Sequence, residues 1–276
     1  MNNLVVEDLL RQALKEDIGV GDITSQAIFT DDHYSEGYLL AKEEMVLAGK
    51  DIFSRVYSLL SRNIKIAFRY NDGASIPAGE KFAIIEGPIR SLLSGERVAL
   101  NFLQRMSGIA TETRRFVEAV GDTGALIADT RKTTPGLRML ERYAVKMGGG
   151  KSHRYALDYM ALIKDYHIQA AGGITPAVER IRHHLSPFIK IEIEVETLEQ
   201  VEEAVTAGVD VIALENMSII MIEQAVEIID NQALVEVTGN ITLEQVPELA
   251  AVGVNIISSG LITQSVKAAD ISIRLE

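Results

Sequence analysis

From residue 124 onwards the chain repeats itself. Short apolar runs at 125–128, 160–163, 189–195, 209–214, 233–237 and 254–257 have the length of buried strands. Helical patterns separate most of them, opened by Thr175-Pro176, Thr197-Leu198-Glu199-Gln200, Ser218 and Thr242-Leu243-Glu244-Gln245. The second and fourth of these place Thr three residues before Gln, the spacing of a capping box. Polar strand ends recur at a near-constant interval: 21 residues from Glu194 to Glu215, 23 more to Thr238 and 21 more to Ser259. Such alternation demands parallel strands joined by helical crossovers. Six units predict an α/β barrel, closed or incomplete, with a doubly wound open sheet as the competing arrangement.

Before residue 108 the pattern is different. A short helix over 5–15 precedes strand-like runs at 38–40, 64–68 and 81–85, and Asn71-Asp72-Gly73 and Pro77-Ala78-Gly79 supply turn chemistry between the last two. A second helix over 91–105 carries Val98, Phe102 and Arg105 at helical spacing. These elements predict an α+β domain over 1–107 and a barrel domain over 108–264.

Composition narrows the function. The 276 residues hold 27 basic against 39 acidic groups, a net charge of −12, so the chain lacks the global basic footprint of a nucleic-acid binder or a polybasic membrane surface. There is no Trp to stack on bases and no Cys, which excludes disulfides, thiolate catalysis and Cys-ligated metals. Acids stand in the first turns where a secretory leader would be basic, and no apolar run approaches the ~18 residues of a membrane span. A cytoplasmic protein is expected.

Chemistry collects at the strand ends: Asp129, Arg131 and Lys132 on the first; Lys164, Asp165 and His167 on the second; Glu192, Glu194 and Glu196 on the third. Glu215 and Asn216, then Thr238-Gly239-Asn240, then Ser258-Ser259-Gly260 follow on the rest. In a β/α barrel this is the face on which active sites are built. Residues 131–154 contain seven basic groups and only Glu141 as an acid, a local anion trap. Arg142 and Lys146 are expected on a solvated helix face, whereas Arg131, Lys132 and Arg154 are expected to work. Gly148-Gly149-Gly150 suits either a close backbone approach to ligand or a plain turn. In IKIEIEV the three acids share one face, with Glu194 expected to lie deepest. Facing acids need compensation, from Lys164 or a Mg²⁺ ion, since hard cations prefer oxygen ligands. Thr238–Asn240 and Ser259–Leu261 have the small residues and free amides of a phosphate cradle. His153 and His167 suit anion contact or ring orientation. Together these features predict an enzyme for a small polyanion.

Nine segments, in order and in register, closely resemble the quinolinate phosphoribosyltransferases, type II phosphoribosyltransferases: EDIGVGDIT (16–24), NFLQRMSGIAT (101–111), DTRKTTPGLR (129–138), GGGKSHR (148–154), LIKDYHI (162–168), IEIEVETLEQ (191–200), LENMS (214–218), VTGNIT (237–242) and SSGLITQSVKAADIS (258–272). The resemblance runs almost end to end. It implies an open barrel of about six strands, a sandwich-like N-terminal domain completed by residues 265–276, and a homodimer. It also implies transfer of phosphoribose from phosphoribosyl pyrophosphate to quinolinate with decarboxylation, giving nicotinate mononucleotide. By motif, Arg105 would come from the partner subunit, and Thr130, Arg131, His153 and Arg154 would line the quinolinate pocket. Lys132 and Lys164 would neutralise carboxylate and pyrophosphate. Glu194 and Glu215 would hold Mg²⁺, and Thr238, Gly239, Asn240, Ser259, Gly260 and Leu261 would cradle the 5′-phosphate.

Three positions depart from the family pattern. Tyr166 replaces a compact Asn and is expected to crowd the site, Ser152 replaces another Asn, and Glu215 replaces Asp, one methylene shorter. Two other functions compete: a paralogous phosphoribosyltransferase for a different acceptor, or a non-catalytic phosphate-binding relative.

Overall fold

The computed structural model describes residues 3–276. In chain order its first elements are α1 (Asn3–Ile18), α2 (Ile23–Ile28), β1 (Tyr34–Ala41), β2 (Met45–Val46), α3 (Lys50–Leu60), β3 (Lys65–Phe68), β4 (Ser75–Ile76), β5 (Lys81–Pro88) and α4 (Ile89–Val120). Next come β6 (Leu126–Ala128), α5 (Arg138–Gly148), β7 (Ala161–Ile163), α6 (Asp165–Ala171), α7 (Ile174–His184), β8 (Ile191–Val195), α8 (Leu198–Ala207) and β9 (Val211–Glu215). The last are α9 (Ile219–Ile229), β10 (Leu234–Thr238), α10 (Val246–Ala251), β11 (Ile256–Ser258), α11 (Leu261–Gln264) and β12 (Ile271–Leu275). No helix among the described residues is long and apolar enough to cross a membrane.

Two compact units emerge: one from 1–114, 134–149 and 266–276, the other from 115–133 and 150–265. In the first, β12, β1, β5 and β3 form an antiparallel sheet in that order. Helix α3 buries Ile52, Phe53, Val56 and Tyr57 on one stripe. Phe53, Phe68 and Phe82 meet ring to ring at 5.8 and 6.3 Å. Each such large side chain removed from water contributes roughly 1.5–3 kcal/mol.

Helix α4 runs unbroken from Ile89 to Val120 across the expected boundary at 107, so no break in secondary structure marks it. Gly108, at the expected change of character, is a contact rather than a break: a Cβ there would lie 2.2 Å from the carbonyl oxygen of Lys267. Residues 134–149 also join the first unit rather than the barrel, since α5 packs on α4. A Cβ on Gly148 would lie 2.5 Å from the Ala110 oxygen, and Gly149 ends α5 at φ +99°. These glycines therefore serve helix packing and helix ending. Arg142, expected in solvent, is buried at 6% exposure, while Lys146 is exposed.

In the second unit six parallel strands run in the order β6-β11-β10-β9-β8-β7. The first strand pairs with the last, so the sheet curls round through every unit and stays open between β6 and β7. A doubly wound sheet would reverse direction at a switch point, and none exists here. The open α/β barrel is the architecture. Thr197 and Ser218 cap α8 and α9 by accepting from the amides of Gln200 and Met221, and Thr242 and Gln245 form a capping box. Helix α7 begins before Thr175, whose amide and hydroxyl both donate to Glu203.

Candidate active site

Strand register decides which side chains face the barrel interior. Leu162 pairs with Glu192, Glu194 with Ala213, Ala213 with Glu236, and Glu215 with Thr238. Paired residues of neighbouring strands share a face, and Leu162, Glu192, Glu194, Glu215, Glu236 and Thr238 line one cavity of about 280 Å³ at the strand ends. Thr130, Arg131, Lys132, His153, Arg154 and Lys164 join them from the loops, with Gly239, Asn240, Ser258 and Gly260 closing the wall.

Acids occupy one side. Lys164, immediately after β7, donates from Nζ to both oxygens of Glu194, at 2.6 and 2.5 Å. Its backbone amide donates to His167 Nδ1 at 3.0 Å, which sets the start of α6. Burial and the charge of Glu194 push the pKa of Glu215 up, with Lys164 opposing. Two facing carboxylates with one ammonium leave net negative charge.

Cations line the same cavity. Arg154 is buried, and burial together with the charge of Arg131 lowers its pKa. Two guanidiniums that repel each other in a pocket favour an anion between them. Lys132 is set by its own backbone: its amide donates to Thr130 Oγ1 and its carbonyl accepts from Thr263 Oγ1. Its side chain lies where a Cβ on Gly260 would sit, 2.8 Å away.

Beneath this wall is a group that sequence reasoning missed. His153 Nε2 lies 2.9 Å from Glu192 Oε2 and 3.6 Å from Glu236 Oε2. Burial alone would lower the His153 pKa, but the contacts with Glu192 and Glu236 and their charges outweigh it and hold the pKa up at about 10. Nδ1 lies 2.7 Å from the Arg154 amide nitrogen and accepts from it in the neutral ring, a contact that protonation of Nδ1 gives up. Glu192, not Glu194, is the deepest acid of β8, at 2% exposure, because parallel strands run towards the mouth and it enters earlier. Burial pushes its pKa up. Glu236 is 3% exposed. Its signal was present in LVEVT, the alternation that marked β8. Asp129, fully buried, accepts from the His153 amide at 2.8 Å and more weakly from Ser152 Oγ at 3.5 Å.

The phosphate-cradle segments are only partly on the wall. Thr238, Gly239, Asn240 and Gly260 line the cavity. Gly239 has φ +94°, and a Cβ on it would lie 2.5 Å from Asn216 Oδ1. Ser258 takes the inward position expected of Ser259, because β11 runs one residue further than the apolar run implied. Ser259 Oγ donates to the Ile241 carbonyl and accepts from the Leu261 amide, so Ser259 and Leu261 hold the loop together.

Arg105 belongs to the first unit, where its guanidinium donates to the buried Glu141 at 2.9 Å and to Thr134 Oγ1 at 3.3 Å. Tyr166 does not crowd the cavity; its ring is 57% exposed and rests 4.4 Å from that of His167. Glu194 and Glu215 are oxygen donors of the kind a hard divalent cation takes, and burial, then the charge of Glu194, lifts the Glu215 pKa.

Comparison with known proteins divides the chain at 107/109, where the sequence placed its boundary. The family description "quinolinate phosphoribosyl transferase, N-terminal domain" matches residues 22–107, and its C-terminal counterpart matches 109–274. The chain is 45% identical over 272 residues to a probable nicotinate-nucleotide pyrophosphorylase (carboxylating) of Bacillus subtilis (strain 168), covering 99% of this chain and 94% of that one. It is 38% identical over 290 residues to quinolinate phosphoribosyltransferase (decarboxylating) 1b of Nicotiana tabacum, covering 98% and 82%. A crystal structure of NadC from Streptococcus pyogenes superposes with a TM-score of 0.97 at 40% identity, covering 100% of this chain and 98% of that one.

Proposed function

The chain belongs to the quinolinate phosphoribosyltransferase family, and from that premise we propose that its barrel mouth makes nicotinate mononucleotide for NAD biosynthesis. Quinolinate and phosphoribosyl pyrophosphate are the substrates; pyrophosphate and CO2 are the other products. One observation carries the reading at this site. Arg131, Lys132 and Arg154 line the same cavity of about 280 Å³ as a lysine-braced acid pair.

The residues divide the work. Arg131 and Arg154 hold the two carboxylates of quinolinate, a planar dianion suited to guanidinium forks. That grip aims the ring nitrogen at the ribose C1. The C1–O bond breaks as the N–C1 bond forms, and the electron pair leaves with pyrophosphate. Lys132 and Lys164 stabilise the charge that develops on the leaving group. Glu194 and Glu215, on the acid side, face the positive charge building on the ribose. Thr238, Gly239, Asn240 and Gly260 receive the 5′-phosphate. Mg²⁺, held by Glu194 and Glu215, would neutralise further charge on the leaving pyrophosphate. The quaternised ring then loses its 2-carboxylate as CO2. The electron pair left on C2 is stabilised by the adjacent ring cation, and a proton from solvent completes the product. No side chain needs to act as a nucleophile.

A homodimer with Arg105 reaching the partner's site is part of the same reading, supported by apolar side chains left on the first unit's surface, such as Val20, Ile23 and Ile28. A cytoplasmic setting accords with a chain free of cysteine. The deciding experiment incubates purified protein with quinolinate, phosphoribosyl pyrophosphate and Mg²⁺, with nicotinate in a parallel reaction. Nicotinate mononucleotide and CO2 from quinolinate alone are expected; product from nicotinate, or from neither, overturns the reading.

A further inference from the structure

Glu192 and Glu236 come from β8 and β10, two strands apart, with the small Ala213 of β9 between Glu194 and Glu236 on the shared row. Their carboxylates converge on His153, and the three ligand atoms lie within 4.8 Å of one another. An apolar pair of similar shape is often as stable in a buried position as an ion pair, so stability alone does not account for two acids here. The loop they grip is pinned from several directions. Asp129 holds the His153 amide at 2.8 Å, His153 Nδ1 meets the Arg154 amide at 2.7 Å, and Arg154 donates to the Met160 carbonyl at 3.3 Å. With Nε2 against the carboxylates and its own backbone amide held by Asp129, His153 joins the barrel floor to the peptide that carries Arg154.

We propose that Glu192 and Glu236 are positioning residues for the acceptor: acting through His153, they fix the 153–154 peptide and so the direction from which Arg154 meets a carboxylate of quinolinate. The substrate in this statement rests on the function proposed above; the clamp itself does not. Neither glutamate touches the reacting atoms, and neither is needed to hold phosphoribosyl pyrophosphate.

The test uses the full-length enzyme with Glu192→Gln and Glu236→Gln, near-isosteric changes that avoid a cavity, each made alone and on a His153→Gln background. Glu236→Gln is expected to raise the KM for quinolinate about tenfold, as for the loss of a buried charge 3.6 Å from the ring, while kcat and the KM for phosphoribosyl pyrophosphate change less than about threefold. On the His153→Gln background the same substitution should add less than about twofold, since both act through one ring. Equal losses for both substrates, or a full effect persisting without His153, overturn the proposal. A second readout needs no substrate. In ligand-free protein labelled with ¹⁵N-arginine, the Arg154 amide resonance should move in both glutamine variants. An unmoved resonance overturns the clamp. A moved resonance in an enzyme that does not turn over quinolinate keeps the clamp and overturns the assigned acceptor.

Discussion

The ammonium of Lys164 spans both oxygens of Glu194, at 2.6 and 2.5 Å, across the β7–β8 boundary of the barrel. A cation placed so closely neutralises the carboxylate while Glu215 stands beside it with a raised pKa. The pair is a store of charge ready to be redistributed. In the proposed reaction an arriving pyrophosphate would attract the lysine and leave the glutamate facing the ribose.

Lys164→Ala should therefore damage chemistry more than binding. Removing one preorganised charge that acts on a leaving group costs about 10²–10³ in kcat. Steady-state kinetics with both substrates checks this, and near-normal turnover would contradict the role given to Lys164. Lys164→Arg, which keeps the charge but not its compact shape, should recover only part of the loss.

Chelation should abolish product formation, and added Mg²⁺ should restore it. Glu215→Gln keeps the shape and removes one anionic ligand, so half-maximal activity should require about tenfold more Mg²⁺. A Mg²⁺ titration of both proteins decides it; identical curves would remove Glu215 from the ion's ligands.

Stability should carry the mark of His153. Its pKa in the folded protein, about 10, lies above the ordinary 6.5. A raised folded-state pKa contributes stability that is fully present below the unfolded value and lost as pH climbs through the folded one. Between about pH 6.5 and 10 the wild-type melting temperature should fall more steeply than that of the Glu192→Gln/Glu236→Gln double variant, which lacks the charges that raise the pKa. Parallel slopes would show that the imidazole is not held by those acids.

Gly239→Ala tests the phosphate side separately. The position has φ +94° and a Cβ would lie 2.5 Å from Asn216 Oδ1. Strain of ~1–3 kcal/mol at such a site corresponds to a rise of about tenfold in the KM for phosphoribosyl pyrophosphate. Quinolinate binding, measured by calorimetry, should be unchanged.

Much of this was legible in the chain because the barrel announces itself locally. Each strand is short, apolar and followed by polar residues, and Thr197, Ser218 and Thr242 mark helix starts through contacts only three residues long. Alternation in IKIEIEV told which side the acids face but not how far in they sit. Depth depends on where a strand enters the sheet, and so Glu192 rather than Glu194 is the buried one. The clamp on His153 joins residues 39 and 83 positions apart in sequence, beyond the reach of any local pattern.

The place of β12 bears on how the protein is made. This strand, 271–275, pairs with β1, 34–41, at the edge of the first unit's sheet. Because β12 follows β1 by more than two hundred residues, the outer edge of β1 waits uncovered during that stretch of synthesis, while the barrel strands can already assemble. A nascent chain stalled anywhere between the two strands would present a bare strand edge to its neighbours on the same message.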